Sequence, residues 1–453
     1  MRGVPSDPVR HLPKSGTVLW AVAAAAIALS LSGAPRAAAA EPESRAASAI
    51  VAWYELMLEL VRHTPTYSPP VAARTFAYVG VAAFETVATG SGSLNSLAGQ
   101  LNALIPVPQR ETGKTYDNAV AVQAALAATM RDFFSNTGPS GQRALDIQEA
   151  RLRSAVSEGV PADVVARSEA YGAAVAAHIL AWSREDGGAV IENMGFPLDY
   201  KLTPGPAHWV PTSLVQQQQV PLLPNWGRVR TFAMPTGSSC RLPPPIEYSE
   251  DPSSEFYKQA LEVYQVSKSL TPEQVAIARF WADDPMLSTT PPGHWISIAI
   301  QIVKRDGVPL EKTVEVLAKL GVTLADSFIG CWETKYVYDL LRPVTYIRRA
   351  IDPKWEPLLN TPPFPEYPSG HSTQSGAASV VLTALFGENF SFEDATRVPD
   401  GAAPRFYPSF EAAAQEAAMS RLYGGIHFRA ANERGLDQGR CIGAYASALR
   451  TRR

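Results

Sequence analysis

Apolar residues recur at three- and four-residue spacing along most of this chain, while the alternation that a half-buried strand needs is scarce. Ile50, Trp53, Tyr54, Met57, Leu60 and Val61 mark one apolar face over Ala47–Val61. The same pattern covers Pro69–Val87 and Tyr116–Phe134, and alanine-rich faces follow over Ser140–Glu158 and Ala162–Trp182. It resumes at Ser253–Ser267, Gly293–Lys304, Leu310–Leu341, Ser372–Phe386, Phe410–Leu422 and Ala430–Leu449. Thr271-Pro272-Glu273 reads as a helix start, with a capping hydroxyl, proline in first position and an acid in the first turn. The fold class expected is all-α, two helical bundles packed together, with no sheet. With 46% of residues apolar and 18% charged, a large core is available.

Composition shifts divide the chain. Residues 41–185 form an N-terminal helical half and 253–453 a C-terminal one. Between them, 186–252 is rich in glycine, proline and glutamine, and Pro243-Pro244-Pro245 breaks any helix. That stretch is expected to be an irregular connection or lid lying on the surface. Residues 1–40 read as a cleaved export signal: Arg10 and Lys14, the apolar run Val18–Leu31, then Ala37–Ala40 as a small-residue cleavage site. No later stretch holds eighteen uninterrupted apolar residues, so no membrane span is expected after cleavage, and the destination is periplasm or medium.

Formal charge is −3 for the whole chain and about −6 without the basic leader, a poor balance for binding nucleic acid. Cys240, Cys331 and Cys441 are widely spaced and match no zinc pattern. An exported chain has room for one disulfide among them, and the sequence does not choose the pair. Nor does it choose the oligomeric state.

Three short motifs carry the chemistry. Lys335-x(6)-Arg342-Pro343 places two cations seven residues apart, close to two helical turns, so both are expected on one face of a helix that Pro343 ends. As a plain basic face, that helix would use Glu333 and Asp339 as partners. Pro368-Ser369-Gly370-His371 runs from a proline-stiffened loop into a helix, offering a hydroxyl, a glycine amide and an imidazole where free N–H groups favour an anion. Ser420-Arg421-x(5)-His427 sets a guanidinium and an imidazole either side of a Gly424-Gly425 break. Three permanent cations with two histidines suit one tetrahedral oxyanion, phosphate or vanadate, and proton transfer to it.

In this order and spacing the motifs resemble the superfamily that unites vanadium-dependent haloperoxidases with type 2 phosphatidic acid phosphatases and bacterial acid phosphatases, over roughly residues 280 to 430. The resemblance implies that Lys335, Arg342, Ser369, Gly370 and Arg421 hold the oxyanion, with His427 as axial vanadium ligand and His371 as acceptor of a peroxide proton. Hydrogen peroxide and halide would be the small-molecule substrates and a hypohalous acid equivalent the product. In the phosphatase alternative phosphate takes the place of vanadate, His427 attacks phosphorus and His371 protonates the leaving alcohol.

Details lean toward oxidation. The phosphatase signature has an aspartate four residues after the second histidine, and here that position is Ala431. Trp332 and Phe364 occupy positions resembling the aromatic halide pocket of chloroperoxidase-type enzymes. Phe280-Trp281-Ala282-Asp283-Asp284 and Thr290-Pro291-Pro292-Gly293-His294-Trp295 resemble a haloperoxidase-branch segment in which an aspartate braces a pocket arginine. Asp284 or Asp283 takes that part toward Arg421, and His294 is read as structural. Glu366 would oppose a bound anion if it pointed inward, so it is expected to face outward or pair with a cation.

Overall fold

A computed structural model describes residues 42–192, 195–213 and 219–453, so the export segment and its cleavage site lie outside the described residues. The N-terminal helices are α1 (Pro42–His63), α2 (Pro69–Ala88), α3 (Asn118–Phe133), α4 (Pro139–Ser157) and α5 (Ala162–Arg184). Their starts follow local chemistry: α2 and α4 open on proline, and Asp117 caps α3 by accepting from the Ala119 and Val120 amides.

A short helix α6 (Gly188–Glu192) and a 3-10 turn at Trp226–Arg228 interrupt the connection. Residues 201–206 are exposed as expected, but the later part of the connection does not lie on the surface. Trp226, Phe232 and Met234 are buried in the core, because Asp326 accepts from the consecutive amides of Phe232, Ala233 and Met234 at 2.6, 2.8 and 2.9 Å. Irregular backbone can be buried when its donors are paired. A disulfide between Cys240 and Cys441 ties the end of the connection to the last helix, leaving Cys331 as a buried thiol.

The C-terminal half holds α7 (Glu255–Lys268), α8 (Pro272–Phe280), α9 (Thr290–Asp306), α10 (Leu310–Tyr338), α11 (Pro343–Ala350) and α12 (Gly370–Phe386), then α13 (Phe410–Tyr423) and α14 (Arg429–Ser447). Thr271 caps α8 as expected, and Gln274 closes the box reciprocally. The expectation of no sheet is corrected by one small antiparallel pair, β1 (Phe392–Asp394) and β2 (Arg405–Tyr407), with Asp394 opposite Arg405. Three-residue strands are too short to show a period in sequence.

Helix α10, 29 residues and about 44 Å long, is the central rod. It packs along α2 from the first half and along α12 and α14 from the second. A Cβ on Gly80 would sit 2.8 Å from Leu317 O and one on Gly321 2.6 Å from Phe76 O, so these glycines let the α2 and α10 backbones touch. Helix α2 is long and apolar enough to cross a membrane, yet all of it is buried among neighbouring helices. The halves therefore share one continuous core.

The expected run Leu310–Leu341 stops earlier. Asp339 adopts a left-handed φ of 46° after Tyr338, and Arg342 lies beyond the helix as the N-cap of α11. Lys335 and Arg342 do not share a helical face, and Pro343 starts a helix instead of ending one. Proline at a first helical position costs nothing, since its missing N–H would have had no partner there.

Candidate active site

Four segments bring the predicted residues together: the last turn of α10, the α10–α11 corner, the loop into α12 with its first turn, and the corner from α13 to α14. The last corner is a packed turn, not a flexible break. Gly425 has a φ of 76°, and a Cβ there would press on Pro357 and Trp355 at 3.1–3.2 Å.

Lys335, Arg342, Ser369, Arg421 and His427 are all buried. Lys335 Nζ donates to the carbonyls of Pro365 (2.8 Å), Glu366 (2.9 Å) and Pro368. Arg342 donates from Nε to Phe364 O at 2.8 Å and from Nη1 to Ile426 O at 2.9 Å, while its Nη2 is buried without a partner. Arg421 donates to Ser420 Oγ, Ala278 O and Trp281 O. The carboxylates nearby in sequence are engaged elsewhere, Glu333 with Arg241 and Asp339 beside His208.

Burial is the largest cause pushing Lys335 down to about 7 and Arg342 and Arg421 each down to about 10. Three buried cations without a carboxylate in ion-pair contact, one with an orphaned N–H, are a donor set whose chemistry fits a small oxyanion. Ser369 caps α12, its Oγ accepting from Ser372 N at 3.3 Å, which leaves the hydroxyl proton free to donate. The Gly370 and His371 amides belong to the first turn, where a helix leaves N–H groups unpaired. Among the described residues no cluster of three or more His, Cys, Asp or Glu could hold a cation.

The two imidazoles have different surroundings. His427 Nε2 accepts from Arg342 Nη1 at 3.1 Å, and Nδ1 lies 2.8 Å from Glu366 Oε1. Burial, then Arg342, Lys335 and Arg421, hold His427 well below the usual imidazole range, so it is neutral. Glu366 corrects the expectation directly. It is fully buried and points inward, behind His427, pushed up to about 7 by burial against the pull of Arg342 and Lys335. The carboxylate missing at Ala431 is supplied from the loop on the other side of the histidine. Its one sequence signal was an acid beside the anion motif.

Burial, then Arg421, push His371 down to about 4. Its Nε2 has no hydrogen-bond partner and faces Asp283 Oδ2 at 3.7 Å. Asp283 is the hub of a buried network. His294 Nδ1 lies 3.1 Å from both its oxygens, Arg397 Nη1 lies 3.2 Å from Oδ1, and His294 Nε2 reaches Asp394 Oδ2 at 2.9 Å. Burial opposes the charge on Asp283, but His294 and His371 hold it well below the carboxylate range, and Asp283 with Asp394 raises His294 to about 10. Neither Asp283 nor Asp284 reaches Arg421 in an ion pair, and both act on it only through space. Asp284, raised by burial, touches neither imidazole, so the brace expected from Asp284 or Asp283 to Arg421 is made by neither, and Asp283 instead lies beside His371. His294, read as structural, joins the site through Asp283. Arg397 and Asp394 lie in no motif and were missed.

Phe364 and Trp332 adjoin at a centroid distance of 4.9 Å. The Phe364 ring lies 4.9 Å from Arg342 Cζ and 5.3 Å from Lys335 Nζ, so an aromatic wall flanks the cations. Trp332 donates its Nε1–H to Leu222 O and keeps no polar atom for the pocket.

The VCPO second helical-bundle domain matches residues 315–453. Vanadium chloroperoxidase from Curvularia inaequalis is 31% identical over a stretch making up 24% of this chain and only 22% of that protein's length. The crystal structure of the first bacterial vanadium-dependent iodoperoxidase superposes with a TM-score of 0.80 at 39% identity, over 90% of this chain and 97% of that one. A holo-type bacterial vanadium-dependent chloroperoxidase shares the fold at a TM-score of 0.65 and 18% identity, over 85% of this chain and 93% of its own. With a likeness of this identity and extent, the chain belongs to the vanadium-dependent haloperoxidase family.

Proposed function

We propose that this chain is a vanadate-dependent haloperoxidase that oxidises halide, iodide included, with hydrogen peroxide to a hypohalous acid equivalent. The observation that carries this is Arg342, whose Nη1 donates to the His427 Nε2 lone pair while its Nη2 is buried without a partner, beside two further buried cations. A bound vanadate would supply the Lewis-acid centre at which a peroxide oxygen becomes electrophilic toward halide. His427 Nε2 offers the lone pair that ligates vanadium. Lys335, Arg342 and Arg421 neutralise the oxyanion, while the Ser369 hydroxyl and Gly370 amide add hydrogen bonds. His371, neutral above about pH 4, takes the peroxide proton, and Asp283 steadies the imidazolium that results. Trp332 and Phe364 exclude water from the halide's path.

Purified protein loaded with orthovanadate and given peroxide with iodide or bromide should oxidise halide far faster than a His427→Ala control. Equal rates would overturn the reading. A phosphatase reading keeps one observation in its favour, the Glu366 carboxylate behind His427 Nδ1, an arrangement that also suits a nucleophilic imidazole. Vanadate-inhibited release of phosphate from a phenyl phosphate, without halide turnover, would select it.

Export is part of the proposal. The Cys240–Cys441 disulfide supports an oxidising destination. N-terminal sequencing of the protein from its native host should find a chain that begins near Glu41, and an intact leader would count against export.

A further inference from the structure

We infer that Glu366 is a positioning residue that sets both the ring orientation and the tautomer of His427; the inference rests on the vanadate-binding reading above.

The Glu366 backbone is pinned on both sides: its N–H donates to Leu340 O at 2.9 Å, and its carbonyl accepts from Lys335 Nζ at 2.9 Å. From that fixed point the side chain runs inward, and a single oxygen does two jobs. Oε1 accepts from His427 Nδ1 at 2.8 Å and from the Phe428 amide at 2.9 Å. Gripping both the imidazole and the backbone N–H that follows it, Oε1 fixes the ring relative to the main chain and leaves χ2 of His427 little freedom.

The tautomer follows from acceptor counting. An ionised carboxylate only accepts, so His427 Nδ1 carries the proton. Arg342 Nη1, which can only donate, faces Nε2 and favours the same Nδ1–H form whether or not Glu366 carries a proton. In either state His427 is the Nδ1–H form, with its Nε2 lone pair open to Arg342 Nη1 and to the pocket. Freed from Oε1, the imidazole would have the Arg342 donor alone to hold that tautomer, and the ring could swing away. A buried acid placed beside the anion-binding cations Arg342 and Lys335 works against oxyanion affinity by charge alone, so its value here is orientation.

The experiment compares Glu366→Leu and Glu366→Gln with the unmodified protein, using equilibrium dialysis against orthovanadate with vanadium measured by elemental analysis. Nitrogen-15 NMR of histidine-labelled protein reads the His427 tautomer. Glu366→Leu should weaken vanadate binding by about 10–100-fold, the usual loss for a partner behind a metal ligand, and mix the two tautomers. Glu366→Gln, whose amide oxygen still accepts from Nδ1, should keep the Nδ1–H form and recover most of that loss. If both variants bind vanadate more tightly than the parent, Glu366 acts only as an opposing charge and the inference is overturned. It is equally overturned if Glu366→Leu keeps both the affinity and the Nδ1–H form. Should the unmodified protein bind no vanadate, the functional proposal fails first and takes this one with it.

Discussion

Arg342 directs Nη1 at His427 Nε2 across 3.1 Å, a permanent cation donating to the lone pair of a neutral imidazole 85 residues away. This contact lines up the guanidinium fork and the proposed ligand atom on one small volume. It also marks what an oxyanion must displace, with the unpartnered Nη2 as the donor already waiting.

Arg342→Ala should therefore remove at once a donor aimed at the reacting oxyanion and the hydrogen bond to His427 Nε2. A loss of about 10²–10³ in kcat is expected, the usual scale for one such donor. Steady-state halide oxidation under saturating vanadate checks it, and a loss confined to KM would contradict the placement.

Asp283 and Asp284 should behave differently although adjacent. Asp283 lies 3.7 Å from His371 Nε2 and favours its protonated form, whereas Asp284 touches neither imidazole. In Asp283→Asn the His371 pKa falls further below about 4, so the acid limb of the pH–rate profile moves to lower pH and the rate on the plateau drops as the base weakens. Asp284→Asn should leave that limb within about 0.3 pH units of the parent, a shift of under half a kcal/mol. An equal shift in both variants would remove Asp283 from its proposed part.

His294 makes stability depend on pH in the alkaline range. Against the cost of burial, Asp283 and Asp394 raise its folded pKa to about 10 from the ordinary imidazole value of 6.5. A raised pKa contributes stability that is complete below the unfolded value and is lost as pH climbs through the folded one. The Tm should therefore fall between pH 6.5 and 10 more steeply in the parent than in His294→Gln, as thermal melts at matched ionic strength would read. Parallel melts would mean that His294 is neutral in the fold.

The Cys240–Cys441 bridge closes a loop with a sequence separation of 201 residues. Reduction should cost about 2–4 kcal/mol, lowering the Tm by several degrees. Thiol labelling without reductant should find one reactive cysteine, Cys331, and only after unfolding, since that side chain is buried. Labelling of the native protein, or of three cysteines once unfolded, would argue against this pairing.

Much of the site was legible because its chemistry is local. Ser369 caps α12 within three residues of itself, and Thr271 does the same for α8. The periodicity of apolar residues set the helices to within a few residues, since a helix closes its hydrogen bonds four residues apart. The side chains of the three motifs were likewise identified by type and spacing, as a pocket for an oxyanion needs those types wherever the chain brings them.

What the sequence determined by itself, then, was the all-helical framework and the inventory of cations and imidazoles. Tertiary structure alone decided which acid stands behind which histidine: Glu366 reaches His427 over 61 residues, and Asp283 faces His371 over 88, outcompeting the neighbouring Asp284 because its left-handed φ of 46° turns it toward His294 and Arg397. The burial of the irregular connection and the choice of disulfide were decided the same way. The reason is physical: local hydrogen bonds and periodicity are properties of neighbours along the chain, whereas the direction of a buried carboxylate is set by partners that only folding brings within reach.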